Sequence, residues 1–223
     1  RPPAAWWDLP NAPWFAGLKS LDLWGCFLGN AGVVRLLGGG RRALTKLGLG
    51  MNGLTADRIR SLAGNRELRH VRSIELSANS IGGAVGEVLR SPNLPALECL
   101  AASDVIGDRP VGREVVDSIA GAARPGKLRQ LELNSNRLDF IAVRRLVESE
   151  VVAGLEVLTL SGNDLPDEAV EAIAGSPHLR RLRRLDLAGN DLTDDALTLL
   201  GRSTNLPALR TLNVRVTRSR RTR

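Results

Sequence analysis

Apolar positions in this chain fall into short runs that return at a near-constant interval. One run places leucine at its first, fourth, sixth and eleventh positions and asparagine at its ninth: Leu44, Leu47, Leu49, Leu54 and Asn52. It recurs at Leu128, Leu131, Leu133, Asn136 and Leu138, at Leu155, Leu158, Leu160, Asn163 and Leu165, and at Leu182, Leu185, Leu187, Asn190 and Leu192. Variants open at Leu18, with Cys26 in the asparagine place, and at Val71, with Ile74, Leu76, Asn79 and Ile81. An altered copy opens at Leu97 and a shortened one at Leu209. The openings are separated by 26, 27, 26, 31, 27, 27 and 27 residues. Such a period marks stacked units, none of which can bury its apolar face alone.

Two periods alternate within each unit. The alternation across the fourth and sixth positions predicts a strand, with apolar side chains inward and the intervening ones toward solvent. The asparagine falls where the chain turns away, and an inward amide there would hydrogen-bond backbone groups that no sheet ladder reaches. Cys26 suits that place because a thiol is small and only weakly polar. Fifteen and eighteen residues after the opening, apolar pairs recur: Val33 and Leu36, Ile59 and Leu62, Val143 and Leu146, Val170 and Ile173, Leu197 and Leu200. A spacing of three puts each pair on one face of a helix. Asp57, Asp167 with Glu168, and Asp194 with Asp195 stand at the predicted helix starts, where the helix dipole favours them. Thr55 and Thr193 are the expected N-caps. In the altered copy Ala102 replaces the third leucine, and Asp104-Val105-Ile106 stands in for the Asn-x-Leu segment with one residue deleted. Gly107 to Pro110 then read as an inserted loop.

The predicted fold is α/β: a curved solenoid with a parallel β-sheet on the concave face and helices on the convex face. It resembles the ribonuclease-inhibitor-like class of leucine-rich repeats, from about Trp14 to Val214, through several independent copies of the motif. The phrase Ser176-Pro177-His178-Leu179, followed by Leu185-Asp186-Leu187-Ala188-Gly189-Asn190, is similar to bacterial multi-repeat proteins of that class. The resemblance implies a concave protein-binding face. The same class includes activators of small GTPases and intracellular sensors, and these residues do not select among them.

Residues 1–17 read as an N-terminal cap or the tail of a preceding repeat, 18–214 as the repeat domain of about seven or eight units, and 215–223 as an Arg-rich tail. Phe15 stands three residues before an opening, as do Leu68, Leu94, Leu179 and Leu206. Trp6, Trp7 and Trp14 are expected to cover the open apolar end of the stack, a role weighed above an aromatic ligand patch. The chain opens without an initiator methionine, which points to a fragment or a processed product.

The net charge is +7, from 31 basic and 24 acidic residues. Five of the arginines lie in 215–223, so the repeats themselves are expected to carry only a small surplus. The tail could meet nucleic acid through phosphate contacts, but a protein partner is the leading expectation, with nucleic acid secondary. No apolar run is long enough to span a bilayer and no signal-peptide pattern opens the chain. Cys26 and Cys99 fall in distant repeats, so no bridge is expected, and a reducing, cytoplasmic location follows.

Little points to chemistry. Gly48-Leu49-Gly50-Met51-Asn52-Gly53 matches a dinucleotide-binding spacing, yet Leu49 and Asn52 already belong to the repeat. His70 and His178 each precede a strand, with no second ligand at metal spacing. The expectation is a non-enzymatic scaffold with no cofactor and no small-molecule substrate. Function is expected on the concave face, where Lys19 with Asp22, Arg72 with Glu75, Arg129 with Glu132, and Arg183 with Asp186 repeat one pattern in every second unit. The acids would form a row of like charge suited to a basic protein segment. The candidate partner-binding residues are Asp22, Trp24, Glu75, Gln130, Glu132, Asn134, Thr159, Arg184 and Asp186.

Overall fold

The computed structural model describes residues 4–38, 43–105, 112–122 and 127–215, with side chains from Asp8 onward. Eight three-residue strands form one parallel sheet in chain order. They are β1 Ser20–Asp22, β2 Lys46–Gly48, β3 Ser73–Glu75, β4 Cys99–Ala101, β5 Gln130–Glu132, β6 Val157–Thr159, β7 Arg184–Asp186 and β8 Thr211–Asn213. The helices between them are α1 Gly29–Leu37, α2 Ala56–Ala63, α3 Val85–Arg90, α4 Gly112–Ala120, α5 Phe140–Val147, α6 Asp167–Gly175 and α7 Asp194–Arg202. The sheet does not close, and the result is a solenoid with strands on its concave side and helices on its convex side.

The middle residue of each strand, the second leucine position of the motif, stacks in register on its neighbour: Leu47, Ile74, Leu100, Leu131, Leu158 and Leu185 are at most 1% exposed. Each such side chain contributes about 1.5–3 kcal/mol of burial. The asparagines form the expected ladder. Asn52, Asn79, Asn136, Asn163 and Asn190 are 1–2% exposed. Each amide oxygen takes a backbone N–H of the preceding repeat, and each amide nitrogen feeds carbonyls at the strand exit.

Several expectations are corrected. Asp104 does not occupy an asparagine place: it is exposed at φ +50°, like Met51, Ala78 and Ser135 one position earlier in their turns. Val105, 5% exposed, fills the slot. Its side chain can neither accept nor donate, so the ladder is interrupted between Asn79 and Asn136. Thr55 occupies the N-cap position of α2 as expected, but its side chain makes no cap hydrogen bond, and its hydroxyl accepts from Asn30 Nδ2 at 2.8 Å. Thr193 does cap α7, taking the Asp195 N–H at 3.2 Å. Trp14 is 58% exposed and stacks edge-on against Phe15, and it is Phe15, at 3%, that closes the core there. Leu197 is 38% exposed rather than inward, because among the described residues no further helix packs beside α7. The side chains of Trp6 and Trp7, the Gly107–Pro110 segment and the tail beyond Arg215 lie outside the described residues.

Candidate interaction surface

Asp22, Gly48, Glu75, Ala101, Glu132, Thr159, Asp186 and Asn213 are successive partners across the sheet. The four acids therefore occupy alternate strands, about 10 Å apart at parallel-strand spacing. Asp22 Oδ1 accepts the Trp24 N–H at 3.0 Å, Glu75 Oε1 the Ser77 N–H at 2.5 Å, and Asp186 Oδ1 the Ala188 N–H at 3.0 Å. Glu132 Oε1 accepts instead from Gln130 Nε2 at 2.5 Å. Gly48 leaves Asp22 room, since a Cβ there would sit 2.5 Å from Asp22 Oδ1, whereas Asn213 Nδ2 donates to Asp186 Oδ2 at 3.0 Å. Burial raises the Glu75 carboxyl above its ordinary range; the Ser77 hydrogen bonds oppose this, and the charges of Glu132 and Asp22 add to it.

The arginines do not pair with the acids of their own strands. One row lies just ahead of the strands, each N–H bonded to the preceding carbonyl: Lys19, Thr45, Arg72, Glu98, Arg129, Glu156, Arg183 and Arg210. Within it Arg72 Nη1 meets Glu98 Oε1 at 2.6 Å and Arg183 Nη1 meets Glu156 Oε2 at 3.5 Å, while Arg129 Nη1 donates to the Gly154 carbonyl at 3.2 Å. Among the described residues none of Asp22, Glu75, Glu132 or Asp186 forms an ion pair. The sheet is thus polarised across its width, with alternating charge at strand entry and unbalanced acid at strand exit.

The other candidate residues divide. Trp24 is 50% exposed and lies over Gly50, where a Cβ would come within 2.2 Å of its ring. Asn134 belongs to a second ladder: Ser103 N–H donates to Ser77 Oγ, Asn134 N–H to Ser103 Oγ, and Ser161 N–H to Asn134 Oδ1. Its amide oxygen is therefore already engaged in joining repeats. Thr159 Oγ1 is buried without a hydrogen-bond partner, on the strand between Glu132 and Asp186. Arg184 is exposed beside Val157. From Trp24 to Arg184 the set extends over roughly 30 Å of sheet, six strand spacings, so it is a face rather than a cluster.

The sequence reading missed a basic cleft of about 370 Å3 lined by Arg129, Glu156, Arg180, Arg181, Arg183 and Ala208. The repeats thus concentrate positive charge locally, although their net surplus is small. Four arginines within the five residues Arg180 to Arg184 were the visible signal.

The family model described as leucine-rich repeat matches residues 155–174 and 177–201, the two repeats that begin at Leu155 and Leu182. The same strand and helix geometry runs through the described chain, with the buried asparagine in five of the repeats. Residues 155–174 and 177–201 are thus leucine-rich repeats, and the fold of the described chain is that of a leucine-rich-repeat solenoid. Internalin C2 from Listeria monocytogenes is similar in fold, at 16% identity and a TM-score of 0.50, over 88% of this chain and 80% of that one. An internalin F from the same organism matches at 18% identity and 0.45, over 83% of this chain and 57% of that one. A Bacteroides fragilis protein matches at 21% and 0.46, over 67% and 42%. The chain thus spans little more than half of the internalin F structure and less than half of the Bacteroides one. No curated protein matches it.

In this solenoid the Gly48 to Gly53 run serves the repeat. Gly48 and Gly50 make room for Asp22 and Trp24, Asn52 is a ladder residue, and Gly53 takes φ +66° in the turn. Among the described residues no three His, Cys, Asp or Glu side chains are grouped to hold a metal ion, and no helix is long and apolar enough to cross a membrane. Cys26 and Cys99 are free thiols.

Proposed function

We propose that this protein is a non-enzymatic scaffold, of the ribonuclease-inhibitor-like type and cytoplasmic, whose concave strand face receives a basic segment of a protein partner. Leucine-rich repeats are commonly protein–protein interaction scaffolds. The observation that carries the finer reading is the row Asp22, Glu75, Glu132 and Asp186 on alternate strands, free of ion pairs among the described residues. Like charges held at a fixed interval raise the local potential and steer an oppositely charged segment to the face. Burial first, and then the charges of its row neighbours Glu132 and Asp22, work against ionisation of Glu75. A cationic side chain docked beside it would favour the ionised form. Trp24 at one end adds an aromatic surface for an aliphatic or guanidinium group.

The test uses a short lysine-rich peptide and the triple variant Glu75→Gln, Glu132→Gln, Asp186→Asn, which removes charge and keeps one acceptor oxygen at each position. Binding measured by fluorescence anisotropy is expected to weaken at least tenfold in the variant and to be unchanged when residues 216–223 are deleted. Retained binding in the triple variant would overturn the proposal.

A further inference from the structure

We propose that the cleft formed by Arg129, Arg180, Arg181 and Arg183 is a binding site for a phosphate group carried on a protein segment. This deepens the reading above by naming the partner's chemistry, and it rests on that reading only for a second, basic contact.

Two separate parts of the chain build the cleft. Arg129 and Arg183 stand in the row ahead of the strands, with Glu156 between them. Arg180 and Arg181 lie on the turn that leads from α6 into β7, and Ala208 leaves the far wall without a bulky side chain. Four guanidinium groups face one carboxylate, a local net charge of +3. That carboxylate is only loosely engaged, at 3.5 Å from Arg183. Arg129 donates to a backbone carbonyl, and among the described residues Arg180 and Arg181 form no ion pair. Along the row the alternation of sign then fails, because Arg210 follows Arg183 where an acid would continue the pattern. Arginine forks match phosphate oxygens two at a time, and clustered arginines are the usual means of recognising a phosphorylated motif.

The surroundings favour a phosphorylated protein segment over a nucleic acid. No aromatic ring lines the cleft, so bases have no stacking platform. Glu132 and Asp186 lie three residues beyond Arg129 and Arg183, at the far ends of β5 and β7, roughly 10 Å away at the strand rise. That acid row repels a continuous phosphodiester backbone. It suits an extended peptide whose phosphorylated residue enters the cleft while a lysine or arginine about three residues away meets Glu132 or Asp186. Arg180 and Arg181 are exposed, so replacing them leaves the core intact.

The probes are a phosphoserine peptide with lysine three residues from the phosphoserine, the same peptide unphosphorylated, inorganic phosphate, and a single-stranded RNA. Binding to the full chain is followed by fluorescence anisotropy at physiological salt, with phosphate and RNA as competitors. Phosphorylation is expected to tighten binding at least tenfold, and the double variant Arg180→Glu, Arg181→Glu to abolish that gain while its thermal unfolding stays as in the parent. Arg181→Lys, which keeps the charge and loses the fork, is expected to fall between them. Glu132→Gln with Asp186→Asn is expected to remove the preference for the lysine and leave the phosphate gain intact, which separates failure of this site from failure of the acid row. Equal affinity for the two peptides, an undiminished gain in the double variant, inorganic phosphate competing at the peptide's own concentration, or RNA binding more tightly than the phosphopeptide would each overturn the proposal.

Discussion

Asn163 holds Asn136 through a single carbonyl oxygen: Oδ1 accepts the Asn136 N–H at 2.8 Å and also the Leu138 N–H at 3.1 Å. Its Nδ2 donates to the carbonyls of Leu133 and Leu160. Asn163→Leu would strand these buried groups, each at about 1–3 kcal/mol. The urea midpoint is expected to fall accordingly, and an unchanged midpoint would show that the ladder contributes nothing at this rung.

Gly86 on α3 lies against the backbone of α4. A Cβ there would sit 2.2 Å from the Ser118 carbonyl oxygen, and the Gly86 N–H donates to Ser118 Oγ at 3.1 Å. Backbone cannot swing aside as a side chain does, so Gly86→Ala is expected to destabilise by about 1–3 kcal/mol as an overpacked site. Thermal unfolding checks this, and a stabilised variant would mean that the two helices separate freely.

Asp139 caps α5. Its Oδ1 accepts the Ala142 N–H at 2.8 Å and its Oδ2 meets Arg113 at 2.6 Å. Asp139→Ala is expected to lower stability by about 0.5–2 kcal/mol, mostly through the cap. Asp139→Asn, which can still accept the N–H, is expected to lose less. Equal losses in chemical denaturation would assign the effect to the charge rather than the cap.

Glu75 holds its proton more tightly in the folded protein than its ordinary value of 4.5, first because of burial. A carboxyl raised in this way binds more protons folded than unfolded, so its ionisation lowers stability as pH rises from the unfolded value through the folded one. Glu75→Gln removes that titration. The variant is expected to gain stability relative to the parent between acid and neutral pH, read from urea midpoints across a pH series. A difference that does not vary with pH would show that Glu75 titrates normally.

Much of the architecture was legible because it is local and repeated. The alternation around Leu131 or Leu158 specifies a strand whatever lies beside it, and Val143 with Leu146 specifies an inward helix face. The four acids were also legible as a row, since the repeat length itself implies their register. The basic cleft was not, although Arg180 to Arg184 could have been noticed, because Arg129 stands more than fifty residues before Arg180 and only stacking joins them. Val105 was misassigned for a different reason. Asp104 resembles asparagine in type and so suggests a deletion, but counted from Leu97 the ninth position is Val105, and the left-handed eighth position of the turn takes Asp104.

The sequence by itself determined that this protein is a stack of strand–helix units with an asparagine ladder, since each unit carries its own apolar period and each period admits one way of burying its leucines. Only the tertiary structure decided which charges meet. Arg72 pairs with Glu98 rather than Glu75, and Asp22, Glu75, Glu132 and Asp186 are left without cationic partners among the described residues. The physical reason is distance: at strand spacing, a side chain in the neighbouring repeat stands closer than the one three residues along its own strand.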